Sequence, residues 1–366
     1  MSRFRSAHAS GNDWESCVAR CVATLGKPAG TLGFVYFTEA LMPHAGEIVA
    51  TLRELTGVPD WTGTVGLGIL ANGVEYLDEP AIVVMVADLS QDSYSVFSGK
   101  KRAPTAGERT PAGAVAAHFA VVHGDPRTPD MAELIADMAA KLESGYLVGG
   151  LSSASQETVQ VANDVLSGGL SGVVFASDVP VATRLTQGCT PLPARHRVTE
   201  CEDNILVSLD NRPALDVFKE DIGEVLARDL RRAAHFMHVG LPVRGSDTGD
   251  YLVRNLVGLD PKNGLIAVGE AMEVGDELFF CKRDAQTARE DLERMLAALK
   301  TEVPAPRGAL YYSCLGRGEH MFGRRGAEMD IIREALGDVP LAGFFCNGEI
   351  SHDRLYGYTG VLTLFR

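Results

Sequence analysis

Two rhythms of apolar residues run along this chain. The stretches Gly33–Thr38 (GFVYFT), Ala81–Val86 (AIVVMV) and Ala309–Cys314 (ALYYSC) are near-continuous runs of β-branched and aromatic residues. Such runs predict strands that are buried on both faces or lie against helices. Between them, Trp14, Cys17, Cys21 and Leu25 recur at helical spacing, as do Ala285, Ala288, Leu292, Met295 and Leu299. These stripes predict helices that cover a sheet, hence an α/β architecture. From Tyr251 the pattern changes to short apolar runs separated by DPKNG and VGD, which predicts antiparallel hairpins and makes the sheets mixed.

The order of these elements repeats. Arg3 to Leu89 reads RFRSAHAS, a helix DWESCVARCVATL, a strand LGFVYFT, a helix EIVATLRELTGVP, the glycine-rich WTGTVGLGIL and a strand AIVVMVADL. Glu277 to Phe365 reads ELFFCKRD, AQTAREDLERMLAAL, GALYYSC, EMDIIREALGDVP, LAGFFCNGEI and TGVLTLF in the same order. LRELTGVP aligns with IREALGDVP, and Gly63 and Gly68 match Gly343 and Gly348 in spacing. A partial third copy lies between, in HFAVVHGDP, DMAELIADMAAKLES, LVGGLSSAS and LSGVVFASDV. The expected architecture is therefore two related lobes built on one strand-helix-strand-helix-strand-strand unit, with mixed sheets covered by helices. Gly99–Pro111 and Thr186–Glu202 read as linkers.

Charge and cysteine content narrow the functions. With 34 Lys and Arg against 48 Asp and Glu, the net charge of −14 disfavours phosphate backbones and anionic membrane surfaces, so neither nucleic acid nor membrane is expected as a partner. MSRFRSAHAS lacks an apolar signal core, and no apolar run is long enough to span a bilayer. A cytoplasmic protein with its seven cysteines reduced is the expectation.

Candidate chemistry gathers where strands end. The loops TEALMPHAG, HGDPRTP and SCLGRGEHMFGRRG are expected at one edge of the sheets, the usual ligand position in open α/β folds. Arg317 there would receive an anionic group, with Arg324 and Arg325 as weaker candidates. Aligning Gly343 with Gly63 and Gly149 sets Cys346 opposite Gly66 and Ser152, and Asn347 opposite Leu67 and Ser153. The glycines recur and belong to the scaffold, while Cys346, Asn347 and Glu349 vary and suit contacts with something specific. Cys314 or Cys346 as a nucleophile would need a nearby base, with His320 and His352 close in sequence. Cys17 and Cys21 lie on a core stripe and lack a second metal-ligating pair. His235 and His238 are expected on different faces. His44, in a loop, is a candidate axial haem ligand.

DVPLAGFFCNGEI, LYGYTGVLTLF, SCLGRG and YLVRNLVGLDPKNGLI together resemble the FIST family, named for F-box and intracellular signal transduction proteins. The resemblance implies an N-terminal domain over residues 1–217 and a C-terminal domain over 218–366. It also implies a sensory module that binds a small molecule, amino-acid-like or otherwise anionic, between two lobes. The expected protein is non-catalytic, signals through a separate protein partner and is compatible with a homo-oligomer. Carried over as ligand-binding positions are Ser313, Cys314, Gly316, Arg317, Gly318, Gly343, Cys346, Gly348 and Glu349. Asn347, Ser152 and Ser153 join them from the repeat alignment. The cofactor is unknown. A haem-binding gas sensor and a cysteine-dependent enzyme using Cys346 or Cys314 are the alternatives.

Overall fold

A computed structural model describes residues 4–26, 30–243 and 251–366. The first repeat runs β1 (Phe4–Ser10), α1 (Trp14–Leu25), β2 (Leu32–Thr38), a 3-10 segment (Glu39–His44), α2 (Ala45–Thr56) and β3 (Asp60–Gly66). It ends with a hairpin of β4 (Gly68–Ala71) and β5 (Val74–Leu77), then β6 (Ala81–Ala87). The second runs β7 (Tyr94–Phe97), β8 (Phe119–Gly124), α3 (Met131–Ala140), β9 (Tyr146–Leu151), a hairpin of β10 (Gln160–Ala162) and β11 (Asp164–Leu166), and β12 (Leu170–Phe175). The third opens with β13 (Val181–Gln187).

An insertion interrupts the third repeat. It comprises β14 (Cys189–Pro191), β15 (His196–Glu202), β16 (Ile205–Leu209), β17 (Arg212–Pro213), α4 (Ala214–Ala227), α5 (Leu230–Phe236), β18 (Met237–Pro242), β19 (Tyr251–Asp260), β20 (Leu265–Val268) and β21 (Glu277–Arg283). The repeat resumes with α6 (Ala285–Glu302), β22 (Gly308–Cys314), α7 (Glu319–Phe322), α8 (Ala327–Leu336) and β23 (Leu341–Cys346). A hairpin of β24 (Glu349–His352) and β25 (Arg354–Tyr356) and the strand β26 (Thr359–Phe365) complete it. Two compact units result: one holds the chain up to Gln187 together with Arg289–Arg366, the other Gly188–Ala288. The boundary at Gln187 falls inside the Thr186–Glu202 stretch.

The fold is mixed α and β, with mixed sheets and helices, as the sequence pattern indicates. In the first unit three six-stranded sheets share one plan, in the orders β1-β6-β2-β3-β10-β11, β7-β12-β8-β9-β24-β25 and β13-β26-β22-β23-β4-β5. Each is built on a parallel pair, β2 with β3, β8 with β9 and β22 with β23. The middle copy, partial in the sequence, therefore has a full sheet. The glycine-rich segments are less continuous than their sequence suggests. Each parallel pair takes its outer hairpin from a different repeat: β4 joins β23, β10 joins β3, and β24 joins β9. The three hairpins are thus exchanged in a closed ring.

The recurring glycine sits where the parallel strands come closest. A Cβ added to Gly63, Gly149 or Gly343 would lie 1.7, 1.8 or 1.7 Å from the carbonyl oxygen of Val35, Val122 or Tyr311, respectively. No side chain fits there, which is why these positions recur. The predicted helix stripe holds in α1, which buries Cys17, Val18, Cys21 and Leu25. In α6, Ala288, Leu292, Met295 and Leu299 are buried while Ala285 is exposed.

One assignment needs correcting. ELFFCKRD aligns by sequence with the first strand of the amino-terminal copy, but it forms β21 of the inserted unit. β13 takes that place, pairing with β26 from Val181↔Phe365 to Gln187↔Thr359 as β1 pairs with β6. The physical reason is exposure. β13 alternates buried and accessible positions as an edge strand does, whereas Leu278 to Cys281 are all fully buried. In the inserted unit β21, β15, β16, β20, β19 and β18 pair in sequence and β18 returns to β21. This antiparallel ring contains the hairpin expected at DPKNG, between β19 and β20, but the strands on either side of VGD, β20 and β21, pair with other strands instead; its core joins Val198, Leu206, Phe218 and Phe280.

Candidate functional site

The first parallel strand of each repeat ends at a common centre. Tyr36, His123 and Tyr312 occupy equivalent positions on β2, β8 and β22, one residue beyond the glycine contact. The Tyr36 hydroxyl lies 3.1 Å from His123 Nε2 and 3.0 Å from the Tyr312 hydroxyl. All three are fully buried. Burial lowers the His123 pKa to about 3, so the imidazole is neutral, and its Nδ1 has no hydrogen-bond partner. These three strands therefore meet in the interior through equivalent residues.

Next to this centre the third repeat carries a charged cluster in its interior. Glu328, on the first turn of α8, accepts hydrogen bonds from the Tyr311 hydroxyl (2.6 Å), Ser313 Oγ (3.0 Å) and Arg317 Nε (2.8 Å). Arg317 Nη2 lies 2.7 Å from Glu328 Oε1, and both side chains are completely shielded from solvent. Burial works against the charge on Arg317, but the Glu328 carboxylate outweighs it and raises the guanidinium pKa. Arg317 Nη1 has no hydrogen-bond partner.

Two further carboxyl groups surround the pair. Glu349, fully buried on β24, accepts from Thr359 N at 3.1 Å and Thr359 Oγ1 at 2.8 Å through Oε2, and its Oε1 has no hydrogen-bond partner. Burial pushes its pKa up to about 8, against the pull of Thr359, Arg317 and a hydrogen bond from the Cys314 thiol. Glu75, on β5, accepts from Gly326 N at 2.9 Å, and burial pushes it up to about 7. Burial thus favours the neutral form of Glu349 and of Glu75, which limits further negative charge beside the Arg317–Glu328 pair.

The sequence-derived positions fall in and around this cluster. Ser313 and Arg317 belong to it, and Cys314 and Glu349 are close enough to perturb each other electrostatically. Cys346 pairs in register with Cys314 on adjacent parallel strands. Gly316 packs toward the Tyr358 ring and Gly318 toward Phe345. Gly343 holds the strand contact described above. Gly348 has φ +126° and its carbonyl accepts from Leu151 N, while Asn347 N donates to Leu151 O. The Asn347 side chain is exposed. Ser152 Oγ lies 2.6 Å from Thr64 Oγ1, and Ser153 Oγ donates to the Phe345 carbonyl at 2.6 Å while accepting from Leu67 N. Both serines therefore tie strand ends together.

Burial pushes the Cys314 thiol up to about 12, with the Glu349 charge adding to it, and Cys346 well above its ordinary value. A nucleophile requires the opposite shift. Iodoacetamide at neutral pH is expected to modify both more slowly than a free thiol such as glutathione; faster labelling of either cysteine in the folded protein would contradict this arrangement. Cys17 and Cys21 are buried core residues, and no cluster among the described residues has the makings of a metal site. His235 is exposed on α5 and His238 buried on β18, split as expected. His44 stacks on Trp14 with ring centroids 5.7 Å apart.

Sequence reasoning missed Glu328 and Glu75. The signal for Glu328 was its place on a helical stripe with Ile331, Ile332 and Ala335, where a carboxylate needs a buried partner. Glu75 shares a strand face with Leu77.

Comparison with known families recognises this chain over most of its length. The FIST N domain matches residues 31–212 and the FIST C domain residues 214–352. The chain belongs to the FIST family, whose domains are associated with sensory and signal-transduction proteins. It is 31% identical over 341 residues to the uncharacterized protein Rv0628c of Mycobacterium tuberculosis, covering 88% of each chain. It is also 31% identical over 357 residues to the uncharacterized protein Mb0898c of Mycobacterium bovis, covering 92% of this chain and 91% of that protein. No helix among the described residues is long and apolar enough to cross a membrane.

Proposed function

We propose that this protein is a non-catalytic sensor of a small anionic or amino-acid-like molecule, which binds among the ends of β5, β22 and β24 and is reported to a separate protein partner. The observation that carries this reading is the pair of buried polar atoms without partners, Arg317 Nη1 and Glu349 Oε1. Buried polar groups are almost always hydrogen-bonded. A cation donor and a carboxyl oxygen left open together suit a ligand that offers one acceptor and one donor. The residues come from both family segments, Glu75 from the amino-terminal one and Arg317, Glu328 and Glu349 from the carboxy-terminal one. Binding there would shift the loop between β22 and α8, and so give a partner something to read.

Calorimetric titration with the common amino acids and small dicarboxylates tests the proposal. One of them is expected to bind, and Arg317→Lys, which keeps the charge but loses the planar fork, is expected to weaken it roughly tenfold to a hundredfold. Equal affinity in wild type and variant would remove Arg317 from the site.

A further inference from the structure

The inserted unit holds one histidine between two carboxylates. His196, on β15, lies 2.7 Å from Asp210 Oδ2 through Nδ1 and 2.8 Å from Asp221 Oδ2 through Nε2. An ionised carboxylate only accepts, and a neutral imidazole has a single N–H, so both contacts are hydrogen bonds only when the ring is protonated. Asp210 sits in the turn between β16 and β17, and Asp221 lies on α4. The imidazolium therefore ties a helix to two separate strand segments.

The two aspartates depend on this ring unequally. Asp210 is half-exposed, accepts from Arg197 N at 2.9 Å and feels the charge of Arg212. Asp221 is nearly buried and has no other hydrogen bond or ion pair among the described residues. The neighbouring charges are taken up in pairs, Arg212 with Glu220 of α4 and Arg197 with Glu277 of β21, and the Phe280 ring lies beside the imidazole. Burial works against the charged ring, but the hydrogen bonds and charges of Asp210 and Asp221 outweigh it and hold the His196 pKa above its ordinary value. Asp221 also stands two residues before a break in α4, where Gly223 has φ 79° and ψ 162°. The chain around and beyond that break is lightly held: Ile222, Leu226 and Leu230 are only partly buried, and Val225 is 83% exposed. Segments with few buried contacts are the first to open.

We infer that His196 is a proton-operated clamp, which holds α4 to the strands while protonated and lets the segment from Ile222 to Phe236 open when its proton leaves to water. The clamp does not depend on the function proposed for the Arg317 cluster. A pKa raised in the folded state makes its contribution complete below about pH 6.5, the value of an unrestrained histidine. The contribution is lost as pH rises through the folded value. Of the other histidines in this unit, His238 has its pKa lowered to about 4 by burial and by Arg283, so it stays neutral across this range. His235 is exposed on α5 and serves as the control.

Hydrogen exchange of the full chain between about pH 6 and about pH 9, read by mass spectrometry and expressed relative to each amide's unstructured rate, tests the clamp. Protection over the end of α4 and over α5 is expected to fall as pH rises, roughly tenfold for each unit by which the folded pKa exceeds the unfolded one. His196→Gln is expected to show the low protection at every pH, and His235→Gln to keep the wild-type dependence. Asp221→Asn, which leaves the ring in place and removes its buried partner, carries the same expectation as His196→Gln and replaces it if that variant does not fold. Protection independent of pH in the wild type, an unchanged dependence in His196→Gln or Asp221→Asn, or its loss in His235→Gln would each overturn the inference.

Discussion

Glu328→Ala is expected to lower the unfolding free energy by about 3–5 kcal/mol, because it leaves the Arg317 guanidinium buried without its counter-charge. It also leaves the Tyr311 and Ser313 hydroxyls without an acceptor. Urea denaturation, followed by a probe in the first unit, measures the loss. Arg317→Met combined with Glu328→Leu is expected to be far less destabilised than Glu328→Ala, since the replacement removes both charges and keeps the volume. A double variant as unstable as the single one would show that the hydrogen bonds, and not the ion pair, dominate.

Gly343→Ala carries the other large effect. An alanine Cβ placed 1.7 Å from the Tyr311 carbonyl oxygen cannot be accommodated by turning a side chain, because the obstacle is backbone. The strands β22 and β23 would have to separate. A cost above about 4 kcal/mol, or failure to fold, is expected. Gly63→Ala and Gly149→Ala meet the same obstacle and should cost comparable amounts. Thermal unfolding of the three variants measures this. A mild effect at any one of them would mean that its sheet is looser than its two counterparts.

Those three glycines also mark how much of the molecule its sequence reveals. The repeat was legible because steric exclusion leaves one residue type at a contact, so Gly63, Gly149 and Gly343 stand out without any knowledge of the fold. Helix faces were legible for a similar reason, as the buried stripe of α1 illustrates. The hairpin exchange was not. WTGTVGLGIL reads as one strand because nothing local states that Gly66 and Gly68 pair in different sheets, and near-identical edges compete for each hairpin. β13 was missed because a whole folded unit separates it from β22. At the candidate site, Arg317 was visible as a charge in a glycine-rich loop. Its internal partner was hidden in a helix that looked ordinary until the position of Glu328 on the apolar stripe was considered.

The closed ring of hairpins also sets the timing of folding on the ribosome. Ile69 pairs with Phe344, so the amino-terminal hairpin is synthesised long before its partner strand. β9 likewise waits for β24, since Gly150 pairs with Glu349. Until those partner strands are made, the nascent chain holds open strand edges that no nearby segment can cover. Contacts so distant in sequence favour slow folding. The nascent chain therefore has a long interval in which capture by a chaperone, or pairing with a neighbouring copy, competes with its own folding.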